Sequence, residues 1–234
     1  MKQSKTLAIG LIICTALFIL TASIAAPILI RGFYYIHIKP LGIMESTRLS
    51  MGQIRQAYDE MMDFCMSRTP VFSTGDLAWS EWGRSHFVDV RGLFSLNMWV
   101  LFISGALLTA WAIIKRKAQM GPQRLAGRSI GFWAGSGLLS VFVLIGALGS
   151  IDFNTTFTIF HKIFFPGKDN WIFNPAQDEI IKILPEAFFR NCAILIVALI
   201  IGSCILRHFM KKKRAAKAAP VIIPQAIPEQ TPEA

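Results

Sequence analysis

Four cysteines in 234 residues, none of them in a CxxC pair, leave no disulfide framework and no zinc-ligand spacing to read. Cys14 and Cys204 fall in apolar runs, Cys192 near the start of one and Cys65 in a polar connection, so small buried hydrophobes is the default reading for all four. Acids are few, 14 against 24 bases, and no Asp or Glu occurs in residues 1–6, 115–129 or 207–228. Charge of either sign is missing from the runs Leu7–Ile30, Leu93–Ile114 and Ile130–Ile151, and from Phe188–Leu206 apart from Arg190, which sits close enough to an end to snorkel. Span interiors without an acid or base argue against an ion or proton pathway. A nucleophile elbow is also lacking. Gly127-Arg128-Ser129-Ile130-Gly131 has its letters, but it opens an apolar helix where the elbow needs a preceding strand.

What is present is apolar: 53% of the residues, with a positive mean hydropathy of +0.50. A soluble domain of this length carries less apolar and more charged surface. Each uncharged run covers a bilayer core, which takes about 20 residues at about 1.5 Å each. The expected fold is an all-α membrane protein with four transmembrane helices, at 7–30, 93–114, 130–151 and 188–206. Two helical connections, 31–92 and 152–187, form a cap on one side. The first span has a rival reading, since Lys2, Lys5 and Ser23-Ile24-Ala25 also suit a cleavable leader. The apolar run continues through Pro27 to Ile30, longer than a leader's core, which favours an uncleaved span. Nor does Cys14 suit a lipoprotein acceptor site, because bulky Ile13 stands where a small residue is expected.

Basic residues decide the orientation. Residues 1–6, the loop 115–129 and the segment after 206 hold Lys and Arg without nearby acids, whereas 31–92 and 152–187 mix both signs. Cytoplasmic loops carry the basic excess, so both termini are expected inside and the cap outside a cell membrane. The pI near 9.8 is therefore a topology signal and the partner it implies is the bilayer, with no nucleic acid. The tail from 207 to 234 is basic, then rich in proline at Pro220, Pro224, Pro228 and Pro232, and is expected to be disordered.

The cap carries its own signals. Ser50-Met51-Gly52-Gln53 has the form of a capping box. Behind it Met51, Ile54, Tyr58, Met61, Met62 and Cys65 recur at helical spacing, a stripe expected to pack on the membrane surface or on the other connection. Thr69-Pro70 and Gly75-Asp76 break the chain, and a short segment from Trp79 to Val90 leads into the second span. In the second connection, Phe153–Phe165 is aromatic, Pro166-Gly167 ends it, and Trp171 and Phe173 suit the headgroup layer. Asn174-Pro175 reads as an N-cap and first position of a short helix that Pro185 stops. Small residues Gly131, Gly135, Ser136 and Gly137 suit close helix approach in the third span.

Of four histidines, His208 lies among cytoplasmic bases and His37 beside Lys39 just past the first span, where packing is the simpler role. His86 and His161 differ. Each lies in an outer connection within roughly 10 residues of a span, so on helical extensions both fall within about 10–15 Å of the bilayer surface. Two imidazoles at one depth suit a general base and a general acid; two interfacial histidines is the plainer alternative. Asp89, three residues after His86, shares its face on a helix and would fix its tautomer. Neither histidine has an aspartate five positions on, so the H-x-x-x-x-D box of soluble-donor acyltransferases is absent.

The blocks Phe160-His161-Lys162-Ile163-Phe164-Phe165-Pro166-Gly167, Asn170-Trp171-Ile172-Phe173-Asn174-Pro175 and Ile183-Leu184-Pro185-Glu186-Ala187-Phe188-Phe189 resemble a family of bacterial integral membrane proteins that includes the lipoprotein intramolecular transacylase. Glu81-Trp82-Gly83-Arg84-Ser85-His86-Phe87-Val88-Asp89-Val90 is similar to the family's other signature. The similarity runs from about Leu7 to Leu206. It implies transfer of the sn-2 acyl chain of a diacylglyceryl-cysteine onto that cysteine's own α-amine, giving a lyso-form lipoprotein. The implied substrate is the diacylated N-terminus of a lipoprotein, the essential pair is His86 and His161, and no cofactor or metal is called for. The chemistry suits the residues, because donor and acceptor share one molecule and no covalent enzyme intermediate is required. His86, oriented by Asp89, is assigned as base and His161 as acid, with the reverse order open. Arg91, Asn170 and Trp171 are candidate oxyanion stabilisers that are equally suited to interfacial anchoring. A non-catalytic partner-docking protein and a deacylase using water remain the competing readings.

Overall fold

The computed structural model describes residues 2–115, 117 and 120–217. The Pro-rich tail from 218 lies outside the described residues, as does the side chain of His208. Among the described residues four helices are long and apolar enough to cross a membrane: α1 (Lys5–Leu29), α5 (Glu81–Ile114), α6 (Ile130–Ile151) and α9 (Glu186–Lys217, its apolar part ending at Leu206). Helix α1 packs against the other three and is the most enclosed of them. Two of its hydroxyls are satisfied within the helix, Thr21 donating to the Leu17 carbonyl at 2.7 Å and Ser23 to that of Ile19 at 2.8 Å. Asn97 of α5 donates across to the Thr21 carbonyl at 3.2 Å. Gly135 of α6 does permit close approach: a Cβ there would lie 3.1 Å from Cys204 Sγ of α9, whereas Gly137 faces open space.

At one end of the bundle a small departure from all-helical structure appears. β1 (Lys2–Ser4) pairs in parallel with β2 (Met120–Pro122). Ser4 then caps α1, its hydroxyl accepting from the Leu7 amide at 3.2 Å. This pairing ties the N-terminus to the 115–129 connection at the same end. The other two connections emerge at the opposite end.

There the chain builds a folded cap with its own core. Helix α2 (Arg31–Ile38) follows α1 after a break at Ile30, then come α3 (Ile43–Thr47) and α4 (Met51–Cys65). The capping box of α4 is present: the Gln53 amide donates to Ser50 Oγ, and the Ser50 amide to Gln53 Oε1. Its apolar stripe packs on the second connection and on α2. Ile54, Tyr58, Met61, Met62 and Cys65 are buried with Tyr34 and Ile38 of α2 and with Ile180 and Ile183 of α8 (Ile180–Ile183). Tyr34 and Tyr58 stack with ring centroids 3.8 Å apart. Elsewhere in the protein large apolar side chains face outward, as helices solvated by lipid require.

From Glu81 the segment leading to the second span is a helical extension continuous with it, because nothing from Glu81 to Ile114 interrupts the backbone ladder. At 34 residues α5 is about 51 Å long against a hydrocarbon core of about 30 Å, so its charged turns before Leu93 stand clear of the apolar layer. The helix expected to open at Asn174-Pro175 is confined to Ile180–Ile183. Asn174 opens a single turn, its side chain accepting from the Ala176 amide at 3.1 Å and its carbonyl from the Asp178 amide at 2.8 Å, and the turn ends where the Glu179 amide donates to the Ala78 carbonyl at 2.9 Å.

Candidate active site

The site forms where the projecting start of α5 meets α7 (Phe153–Phe164) and the loop behind it. Ser80 caps α5 by accepting from the Gly83 amide at 3.0 Å, which fixes the first turn and aims His86 inward at 6% exposure. Asp152 caps α7 in the same way, accepting from the Thr155 amide at 3.0 Å. On α7 His161 turns inward, also 6% exposed, while Ile159, Phe160, Ile163 and Phe164 face out. A proline disfavours helical geometry in the residue before it, so Phe165 ends α7; Gly167, at φ +71°, reverses the chain. Lys168 to Phe173 are thereby folded back onto α5.

The two imidazoles meet, with centroids 5.7 Å apart and planes inclined by 37°. Aromatic rings enclose them. Phe165 lies edge-on 5.0 Å from His86, Phe173 stands 5.5 Å from it, and Trp171 stacks on His161 at 4.7 Å. Burial holds both histidines neutral. It pushes the His86 pKa down to about 4, helped by the neighbouring His161 and opposed by Asp89 and Asn170. It also lowers that of His161, against the opposing effect of its hydrogen bond to the Phe157 carbonyl. That bond, 2.8 Å from Nδ1, puts the proton on Nδ1 and leaves the lone pair on Nε2.

The residues named from sequence fall into two groups. Asp89 is beside the pair, but its carboxylate accepts from Lys168 Nζ at 2.5 Å and Asn170 Nδ2 at 3.0 Å, so it does not directly hold the His86 ring. Its pKa is lowered: burial raises it, but the bonds from Lys168 and Asn170 outweigh burial. Asn170 lies between α5 and the loop, 5% exposed, and also donates to Ser85 Oγ at 3.0 Å. The donors of the three oxyanion candidates are engaged elsewhere in this structure. Both amide protons of Asn170 are committed, and the Trp171 indole donates to the Lys168 carbonyl at 3.0 Å. Arg91 is turned away: its guanidinium lies 5.0 Å over Phe64 and donates to Ser67 Oγ at 2.8 Å. Sequence reasoning missed Lys168 and Ser85. A lysine after a Pro-Gly turn carries no signal of its partner, and Ser85 was overshadowed by its neighbour. His37 has the packing role expected, bonded to Phe33 at 2.6 Å and ringed by Phe33 and Phe188. Among the described residues no three His, Cys, Asp or Glu side chains are grouped to hold a metal ion.

A multi-pass helical bundle with two neutral imidazoles buried at its rim is an integral membrane enzyme framework suited to acid/base transfer. The family model described as lipoprotein intramolecular transacylase Lit matches residues 9–189. The chain belongs to that family, and with it to the acyltransferases. The crystal structure of Lit from Bacillus cereus is 24% identical and superposes with a TM-score of 0.75 over 89% of this chain and 96% of that one. A variant of the Bacillus cereus protein with one histidine replaced by alanine gives 0.70 over 89% and 94% at the same identity. No curated protein matches the chain by sequence.

Proposed function

We propose that His86 and His161 move the proton in an O-to-N acyl transfer, from the sn-2 position of a lipoprotein's diacylglyceryl-cysteine to that cysteine's α-amine. The 5.7 Å pairing of two buried rings carries this reading. When the amine nitrogen attacks the ester carbonyl, it must lose one proton, and the departing glycerol oxygen must gain one. His161 is the base, since its Nδ1–H is spent on Phe157 and Nε2 is free to accept. This reverses the order favoured by sequence. The proton crosses to His86, whose buried imidazolium is a strong acid, and leaves with the glycerol oxygen as the C–O bond breaks. No serine or cysteine nucleophile is needed.

The bundle end formed by β1 and β2 carries Lys5, Lys115, Lys117, Arg124 and Arg128, which supports a cytoplasmic assignment for it. The histidine pair then faces the outer surface, where mature lipoproteins stand. The test is expression in a host that makes diacylated lipoproteins, with mass spectrometry of their N-terminal lipopeptides. Wild type is expected to give lyso-form N-acyl peptide, and His86→Ala and His161→Ala to give none. Unchanged product in both variants would overturn the assignment, and free fatty acid without N-acyl peptide would identify a deacylase.

A further inference from the structure

Two side-chain atoms in the site, His86 Nδ1 and Asn170 Oδ1, are fully buried without a hydrogen-bond partner among the described residues. A buried polar atom left unpaired costs about 1–3 kcal/mol, so two in one site need a reason. Neighbouring bonds fix what each offers. Asn170 Nδ2 donates to Ser85 Oγ and to Asp89 Oδ2, both at 3.0 Å, which sets the amide orientation because a carboxylate can only accept. Oδ1 is left as a pure acceptor, anchored through Asp89 to Lys168.

We infer that Asn170 is a positioning residue for His86, its Oδ1 taking the His86 Nδ1–H so that Nε2 is the ring atom that exchanges protons. The inference rests on the acyl-transfer reading above for its purpose, though not for its geometry. Ser85 and Asp89, which hold the Asn170 amide, flank His86 on α5, and Asn170 raises the His86 pKa against burial, the sense in which an acceptor facing the ring acts. The groups facing His86 leave few other ways to fix the ring. The His161 ring is held by the Phe157 carbonyl, Asp89 is engaged by Lys168 and Asn170, and Phe165, Phe173 and Phe87 present hydrocarbon. Without the Asn170 carbonyl, neutral His86 is free to keep its proton on Nε2, where it cannot accept one from His161. With it, both rings turn Nε2 toward the reaction: His161 through the Phe157 carbonyl, His86 through a side chain that answers to Asp89 and Lys168. This also replaces the oxyanion role considered for Asn170, which has no donor to spare.

The tautomers are directly readable by nitrogen NMR on the full chain in detergent, with isotope-labelled histidine and assignments from His86→Phe and His161→Phe. Near neutral pH, wild type is expected to show His86 protonated on Nδ1 alone. In Asn170→Ala the His86 signal is expected to become a mixture of tautomers, while His161 keeps its Nδ1 proton and so reports that the fold is intact. His86 protonated on Nε2 in wild type, or a His86 signal untouched by Asn170→Ala, would overturn the inference. If Asn170→Ala disturbs His161 as well, the wild-type tautomer decides alone. Failure of the acyl-transfer reading would appear instead as lipopeptide unchanged in the histidine variants, with the tautomers unaffected.

Discussion

The Asp178 carboxylate occupies the space a side chain at Gly83 would need: a Cβ on Gly83 would lie 2.1 Å from Asp178 Oδ1. From that position the carboxylate accepts from the amide and hydroxyl of Ser80, both at 2.8 Å, and is itself only 2% exposed. The second connection is thus pinned to the first turn of the helix that carries His86. Gly83→Ala is expected to expel the carboxylate and cost about 2–4 kcal/mol, by overpacking and by loss of charged hydrogen bonds. Because the clash is with Asp178 alone, adding Gly83→Ala to Asp178→Ala should cost far less. Thermal unfolding of the two single variants and the double variant in detergent checks this. Additive losses would show that the two positions do not share the space.

The Lys168–Asp89–Asn170 chain makes unequal demands on its members. Lys168 is half exposed, and a pair so placed is worth at most about 1 kcal/mol, so Lys168→Ala should lower the yield of lyso-form product less than about fivefold. Asp89 is more enclosed and also holds Asn170. Asp89→Ala loses a charged hydrogen bond worth about 1.5–3 kcal/mol, which corresponds to a roughly ten- to hundredfold loss of rate. Initial rates on a synthetic diacylated lipopeptide would measure both. Equal effects of the two substitutions would contradict the ordering.

Much of this was legible in the chain, for physical reasons that also mark where legibility ends. Uncharged runs located the four apolar helices, because lipid penalises charge independently of what packs nearby. The capping box at Ser50 and the stripe from Ile54 to Cys65 are local patterns that the cap preserved. His86 and His161 stood out by residue type and depth. What depended on contacts between distant segments was hidden. Asp89 was matched to His86 because they are three residues apart, yet its partners come from beyond Pro166-Gly167. Arg91 lies five positions from His86, which places it toward another face of α5 and onto Phe64. The Asn174-Pro175 signal was real as a turn, which stops where the Glu179 amide crosses to the Ala78 carbonyl, a contact between distant segments.

The cap core offers a test independent of catalysis. Tyr34 is fully buried, stacked on Tyr58, and its hydroxyl donates to the Ile183 carbonyl at 2.8 Å, joining α2 to α8. Tyr34→Phe keeps the ring and strands the carbonyl, for a cost of about 1–3 kcal/mol. Tyr34→Ala removes the ring too and should cost about 3–5 kcal/mol. Melting temperatures should fall in that order. A Tyr34→Phe protein as stable as wild type would mean that water reaches Ile183.

Acid should destabilise the protein through His86, and the sign follows from its burial. Unfolded, an imidazole takes up a proton near pH 6.5; folded, His86 does so only near its lowered pKa of about 4. Between those values the unfolded state binds more protons, so stability is complete above about pH 6.5 and declines as pH falls toward 4. At about 1.4 kcal/mol for each pH unit between the two values, the loss amounts to about 3–4 kcal/mol. His161 acts with the same sign, its pKa being lowered by burial as well. Unfolding curves in detergent from pH 7.5 to 4.5 should therefore fall more steeply for wild type than for His86→Phe, which has no proton to take up at that position. Carboxylates common to both proteins add equally to the two curves, so the difference isolates the histidine. Parallel curves would mean that His86 is solvated in the folded protein, and an imidazole that water reaches freely could not serve as the strong acid that the departing glycerol oxygen requires.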